Sequence, residues 1–451
     1  MKWLAQQAWV NGGWAEHVLL ASDASGKWCH IEPNASAQAA EGAERLGCVL
    51  PGMTNAHSHA FQRAMAGLAE RSDRPQDDFW SWRERMYQVA LQISPQALEQ
   101  VAAWLYAEML RAGYTHVCEF HYVHRDPQGH PYSDPAEMAW ALVRAAERSG
   151  IGLTLLPTLY MRQGFGHAHL NASQRRFQAD PDFILDLHAR LAQHARAAGA
   201  GLFHCGVAVH SLRAVPMSSV LTVERALPDV PLHIHISEQA KEVLDCLTHH
   251  QRRPIEWLAE QVPLSPRWHL VHATHALPHE LTAIRDSGAT VVICPTTEAN
   301  LGDGRFDWPC AQGLGVRGSV GTDSHVNRNW TEELRWLEYA QRLHLQQRNV
   351  SLQQQAGATA ARLLDWAVAG GAAASGLPLN GIALGQRADM IELDSACDAL
   401  LGVPAAHVLD AWVFSTPSSP ARRVFVGGRA VPDRRNELAP GFVQAMASLV
   451  S

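Results

Sequence analysis

Through the middle of the chain, short apolar runs alternate with longer amphipathic stretches. The first run is CVLPGMTNAHSH, from Cys48 to His59. THVCEFH follows at 115–121, then IGLTLLPTLY at 151–160, GLFHCGVAVHS at 201–211, PLHIHISE at 231–238, WHLVHAT at 268–274, TVVICPT at 290–296 and GSVGTDS at 318–324. Several are rich in Val, Ile, Leu or Thr and are flanked by Gly or Pro, which reads as strand. Helical patterns lie between them: Pro95–Ala112, Asp134–Ser149, Asp182–Ala198, Val220–Ala226, Glu238–Thr248, Leu277–Ser287 and Glu332–His344. Strands alternating with helices in this way predict an α/β protein, a TIM-like (β/α)8 barrel, with an open doubly wound sheet as the competing architecture. The ends read differently. Residues 1–48 hold short strand-like pieces and the NGG turn at 11–13. After Gly381, the segments IALGQRADMIELD, VLDAWVFS and ARRVFVGGRAV read as short strands with glycine turns. The expected organisation is a barrel over 49–380 and a small β-sandwich domain assembled from 1–48 and 381–451.

Composition narrows the partners. Hydrophobic residues make up 47% and charged residues 18%, a globular balance rather than a disordered one. The net charge is -7 with no Lys/Arg run, so no phosphate-binding stripe is offered and nucleic acid is not expected as a partner. No run approaches 18 apolar residues and the N-terminus shows no secretion signal, so neither a membrane span nor export is expected. The eight cysteines are scattered and form no CxxC pair, which fits buried thiols in a reducing compartment, the cytoplasm. A homodimer is the expected assembly, since two-fold dimers are the commonest among such enzymes.

The candidate chemistry sits at the ends of the predicted strands. His57 and His59 form an H-x-H pair, whose spacing of two puts both side chains on one face of an extended segment. His235 shares its strand face with His233, His272 lies in LVHAT, and Asp323 lies in GTDSH. The C-terminal ends of the strands are where barrel active sites are built. Among 25 histidines a lone one such as His30 or His194 is read as a surface residue, and for His233 a supporting role is as good a reading as ligation. Three imidazoles and one carboxylate suit a zinc site with room for a water, and zinc lowers the pKa of such a water toward neutrality. His57, His59, His235 and Asp323 are therefore assigned to one zinc ion per chain. Glu238, three residues beyond His235, is placed to shuttle a proton. His272 is placed to stabilise charge on a tetrahedral intermediate. Two-metal barrels commonly use a carboxylated lysine on a middle strand, and no lysine occurs between Lys27 and Lys241.

This set of residues resembles the amidohydrolase superfamily and, within it, the deaminase branch. The segment GIALGQRADMIELD at 381–394 is similar to that superfamily's C-terminal return to the β domain. NAHSHAFQRAMAG at 55–67, WSWRERMY at 80–87, EFHYVHRD at 119–126, VAVHSLRAV at 207–215, HIHISEQ at 233–239, CPTTEANLGDGRF at 294–306 and GTDSHVNRNW at 321–330 resemble the deiminases that act on N-formimino-L-glutamate. The resemblance implies hydrolysis of that compound to N-formyl-L-glutamate and ammonia in histidine degradation, with Glu238, His272 and Asp323 in the catalytic machinery. It further implies Gln62, Arg83, Tyr122, His210 and Arg213 as substrate contacts. The chemistry agrees, because a dicarboxylate calls for the bidentate fork of arginine, and Arg83 and Arg213 are expected in loops beyond strands. Other readings stay open. A deaminase of a purine, pterin or triazine ring would call for aromatic and amide contacts in place of two arginines. A lactonase or cyclic amidase is disfavoured by the missing lysine in its two-metal forms. A non-catalytic binding role predicts no metal and no turnover.

Overall fold

The computed structural model describes residues 1–70, 79–198, 201–352 and 357–450. Among these, eight parallel strands run in spatial order as they do in sequence: Met53–Ser58, Tyr114–His121, Gly152–Leu159, Val207–Ser211, Leu232–Ile236, Trp268–His272, Thr290–Ile293 and Arg317–Val320. Each is hydrogen-bonded to the next. The eighth returns to the first: Asp323 N–H donates to His57 O at 3.0 Å and His59 N–H to Asp323 O at 3.2 Å. That closure passes through Gly321, where a Cβ would lie 2.6–2.8 Å from Cβ, N and O of His57. Only glycine lets the chain leaving the eighth strand approach the first strand so closely. A nearly closed α/β barrel is thus the architecture, and the strands are buried on both faces, as parallel strands covered by helices must be.

The helices form where local signals agree. Pro95–Ala112 begins with Ser94 accepting from Ala97 N–H at 3.1 Å, has proline in its first turn and stops at Gly113 with φ 97°. Its position matches the sequence expectation. A second sheet draws on both ends of the chain, in the order Arg429–Ala430, Ala421–Val426, Met390–Leu393, Glu44–Pro51, Lys2–Val10, Gly13–Ser22 and Trp28–Glu32. It is mixed, with Lys2–Val10 and Glu44–Pro51 parallel and its other pairs antiparallel. Trp3 meets Trp28 and Phe425 edge-on at 5.9 Å, which knits N- and C-terminal strands into one core. Trp9 Nε1 donates to Asp365 Oδ1 at 2.9 Å and ties that sheet to the helix Thr359–Ser375. No helix among the described residues is long and apolar enough to cross a membrane.

Four local expectations are corrected. VLDAWVFS is the helix Val408–Ser415, not a strand; its buried residues Val408, Leu409, Trp412 and Val413 mark one helical face, and a short apolar run does not distinguish the two states by itself. TVVICPT is a strand only to Ile293, after which Pro295 opens a helix to Leu301. GLFHCGVAVHS is split into Phe203–Cys205, which pairs only with the third barrel strand, and Val207–Ser211 in the barrel. Arg83 stands on the helix Phe79–Gln92 rather than in a loop.

Candidate active site

The strand ends bring the H-x-H pair, His235 and Asp323 to one point. The Nε2 atoms of His57 and His59 are 3.1 Å apart, those of His59 and His235 3.3 Å, and those of His235 and His57 3.0 Å. Asp323 Oδ1 lies 3.4 Å from His57 Nε2 and 3.3 Å from His59 Nε2. The tautomers follow from the second nitrogens. His59 Nδ1 faces Phe120 O at 2.9 Å and His235 Nδ1 faces His210 O at 3.0 Å. A carbonyl only accepts, so both Nδ1 atoms carry hydrogen and both Nε2 atoms present lone pairs to each other. Burial holds all three imidazoles neutral, with His57 lowered to about 3 and His59 and His235 also shifted down. Three neutral imidazoles and a carboxylate converging on one point, two of the rings with lone pairs inward, are a cation's donor set. Bonds of about 2.0–2.1 Å in a tetrahedral zinc site place neighbouring ligand atoms about 3.3–3.4 Å apart, close to the separations here. The cluster is a candidate metal site.

Beside it stand two buried titratable groups. Glu238 is 7% exposed and its carboxyl is raised, chiefly by burial, with the charge of Asp323 adding to the effect. His272 Nε2 lies 3.8 Å from Glu238 Oε1 and 4.0 Å from Asp323 Oδ2. Burial opposes a charge on His272, but the surrounding carboxylates of Glu238, Glu298 and Asp323 outweigh it and raise the ring to about 10. The backbone here is strained: Ser237, His272, Ala273 and Asp323 have φ of 52°, 69°, 50° and 46°. Left-handed non-glycine residues at several strand ends mark a place where side-chain aim outweighs local backbone preference.

The remaining predicted residues line the same pocket: Gln62, Arg83, Tyr122, His210 and Arg213. Gln62 Nε2 donates to Tyr122 Oη at 3.1 Å, while Gln62 Oε1 has no partner among the described residues. His210 packs on His235 with ring centroids 5.0 Å apart, and Tyr160 packs on His210 at 4.2 Å, so aromatic rings separate the imidazole cluster from the arginines. Arg213 is 8% exposed, and its Nε and Nη1 are buried without a hydrogen-bond partner among the described residues; the same holds for Arg83 Nη1. Arg83 lies 4.3 Å and Arg213 5.7 Å from the Trp80 ring centroid. His233 turns away from the pocket: its Nε2 meets Ala374 O at 2.9 Å and its ring packs on His269.

Several residues in and behind the pocket escape the sequence reading. Glu298 Oε1 meets His272 Nδ1 at 3.2 Å and also accepts from Cys294 N–H at 2.8 Å. Its signal is its place four residues after Cys294, in the first turn of a helix that follows a strand. Trp82, Tyr87 and Tyr160 line the pocket itself, and nothing in their local sequence distinguishes them from core aromatics.

Comparison with known proteins agrees with this geometry. Residues 48–431 match the amidohydrolase family. A formimidoylglutamate deiminase of Pseudomonas aeruginosa is 47% identical over 453 residues, covering 99% of each chain. A 5-methylthioadenosine/S-adenosylhomocysteine deaminase of Nitratidesulfovibrio vulgaris is 27% identical, covering 85% of this chain and 79% of its own. The crystal structure of an amidohydrolase from Brucella melitensis superposes with a TM-score of 0.94 at 42% identity over all of both chains. With its barrel, its strand-end ligand cluster and a match that spans most of its length, the chain belongs to the amidohydrolase family.

Proposed function

We propose that this chain hydrolyses N-formimino-L-glutamate to N-formyl-L-glutamate and ammonia, a step of histidine degradation, and that it works as a zinc enzyme with one ion per chain. The observation that carries the reading is the pair of arginines. Arg213, and Arg83 at one nitrogen, hold buried N–H donors without partners among the described residues, in a pocket that leads to the imidazole cluster. A buried donor without a partner is costly, so such a pocket is built for an anionic ligand. The 47% identity to a formimidoylglutamate deiminase supports the same substrate.

His57, His59, His235 and Asp323 would hold the zinc, which when bound supplies Lewis acidity and makes water reactive near neutral pH. The chain's own residues do the rest. Arg83 and Arg213 grip the carboxylates of the glutamate end, with Tyr122, Gln62 and His210 as polar contacts along the stem. Glu238, whose carboxyl is pushed up by burial, accepts the proton of the attacking water. His272 keeps its Nδ1–H on Glu298 and offers Nε2–H to the oxygen that becomes the formyl carbonyl. Glu238 delivers the water's proton to the imino nitrogen and then carries the adduct's hydroxyl proton to the same nitrogen; as the C–O bond becomes a carbonyl the C–N bond breaks, ammonia leaves, and the formyl amide remains. The remaining parts of the reading are a barrel unit over 49–380, a β domain from 1–48 and 381–451, a cytoplasmic setting, supported by eight unpaired cysteines, and a homodimer.

The test is ammonia release by the metal-loaded protein across N-formimino-L-glutamate, N-formimino-L-aspartate, guanine and adenosine. Turnover is expected on the first, with elemental analysis giving about one zinc per chain. Turnover of a ring without turnover of formiminoglutamate overturns the reading, and a stoichiometry of two overturns the single ion.

A further inference from the structure

Behind the arginines lies a buried glutamine whose hydrogen bonds leave no freedom in how it is used. Gln174 sits in the short helix Ala172–Phe177 and is 0% exposed. Asn171 Oδ1 accepts from Ser173 N–H at 3.0 Å and Gln174 N–H at 3.1 Å, and Asn171 N–H donates to Gln174 Oε1 at 3.2 Å. That last bond settles which end of the amide is oxygen, because a backbone N–H needs an acceptor. Nε2 therefore lies at the other end, and it donates to Tyr87 Oη at 3.0 Å and to Tyr160 Oη at 2.8 Å. Its two hydrogens are both used.

The count for the tyrosines follows. Each phenol oxygen accepts from Gln174, so neither hydroxyl hydrogen can be spent on it. At most one of the two can pass between the hydroxyls themselves. At least one is left to point elsewhere, and both rings line the pocket with Arg83 and Arg213. Burial raises Tyr160 well above the usual phenol range, so it remains a donor at any working pH. An arrangement that fills the acceptor side of both phenols and leaves at least one hydroxyl hydrogen for the pocket, next to guanidinium groups, recognises a carboxylate and rejects a cation or an amide N–H.

We propose that Tyr87 and Tyr160, poised by Gln174, are specificity residues that donate O–H hydrogen bonds to a substrate carboxylate beside Arg83 and Arg213. This rests on the dicarboxylate reading of the same pocket. Gln174 is a positioning residue in it, acting through the two phenols.

The test uses the metal-loaded full chain as wild type, Tyr87→Phe, Tyr160→Phe, the double variant and Gln174→Met. Phenylalanine keeps the ring packing, and zinc content checks that each variant is intact. Titration with L-glutamate is expected to show affinity falling about tenfold in at least one single tyrosine variant and by no less in the double variant, the factor that corresponds to 1.4 kcal/mol. Gln174→Met, which keeps both phenols but frees their acceptor sites, should weaken binding by about threefold, a smaller step on the same scale. In turnover, KM for N-formimino-L-glutamate should rise more than kcat falls, and the loss should be several-fold smaller on formamidine, which has no carboxylate. Unchanged glutamate affinity in the double variant, or equal losses on the two substrates, overturns the proposal. The two readings separate cleanly. A wild type that binds glutamate through these hydroxyls but does not turn over formiminoglutamate keeps the subsite and removes the function. A wild type that turns it over with hydroxyl-independent affinity does the reverse.

Discussion

At one end of the pocket three imidazole nitrogens and a carboxylate oxygen converge, with the lone pairs of His59 and His235 inward. At the other, two guanidinium groups converge with N–H donors inward. The two ends are built from different material as well. The imidazole end comes from strand termini closed around the barrel, with His57, His59, His235, His272 and Asp323 held by backbone ladders and carbonyls. The arginine end comes from the helix Phe79–Gln92, the residue pair Leu212–Arg213 beyond the fourth strand, and the short helix Ala172–Phe177. The contrast shows that the hydrogen-bonding sense of the walls fixes which way a ligand lies. A molecule with an electrophilic amidine at one end and carboxylates at the other satisfies both ends in one orientation only. Reversing it would leave the buried donors of Arg83 and Arg213 unmet.

The most severe way to break the comparison is to remove the carboxylate from the lone-pair end. Asp323→Asn is expected to lower kcat by at least roughly 1,000-fold, the range seen when one member of a catalytic unit is lost, and to lower the zinc content. Full zinc and full turnover in this variant would mean that the lone-pair end is not a metal site. Next is Glu238→Gln, which leaves the ligand set intact. It should keep zinc and bind substrate, yet lose roughly 100-fold or more in kcat, the usual worth of a positioned acid–base group. Loss of zinc in that variant would make Glu238 a ligand.

At the donor end the effect should be smaller and selective. Removing one partner from a buried charge pair costs roughly 2–5 kcal/mol in binding. Arg213→Met should therefore lower kcat/KM for N-formimino-L-glutamate by about 30-fold or more, with zinc unchanged and formamidine much less affected. Equal losses on the two substrates would show that Arg213 supports the fold rather than a carboxylate.

The same contrast explains what could be read from the sequence. Residues at strand ends were legible because strand periodicity and barrel topology jointly dictate where they point: H-x-H on one face, His235 and His272 on neighbouring strands, Asp323 at closure. Asn329, and not Asp323, caps the following helix. The barrel itself followed from the alternation of apolar runs and helices. The donor end was legible only where a family resemblance pointed, at Arg83, Arg213, Tyr122, His210 and Gln62. Gln174, Tyr87 and Tyr160 come from segments joined only by tertiary packing, and local pattern carries no information about which aromatic faces a cavity. Glu298 was hidden for a related reason: it reaches His272 because TVVICPT turns into a helix at Pro295, and that turn was read as strand. VLDAWVFS was misread because eight apolar-rich residues fit both periods until neighbours decide.

The smallest effect tests whether the donor end is as purely a donor as it looks. Glu242, on the helix Ala240–His250, is a buried carboxyl whose charge acts on Arg213. Its Oε2 accepts from Glu238 N–H at 3.0 Å, but its Oε1 has no partner among the described residues. Burial raises it to about 7; Arg213 opposes the rise and Glu238 adds to it. The sign follows from proton counting. Between the ordinary carboxyl value of 4.5 and about 7 the folded protein holds a proton on Glu242 that the unfolded chain has released. Stability therefore falls as pH rises through that window, by up to about 1.4 kcal/mol per pH unit for one proton, and levels off above it. Glu242→Gln removes this one contribution, so thermal unfolding of the zinc-loaded variant should vary less between pH 5 and 7 than that of the wild type. Above pH 7 the variant should be the more stable of the two, because an amide carries no charge to bury. An identical pH dependence in both proteins would mean that Glu242 is ionised throughout and pairs with Arg213 as a salt-bridge partner. The arginine would then arrive at the substrate already half neutralised, and the contrast between the two ends would be weaker than the unpartnered nitrogens suggest.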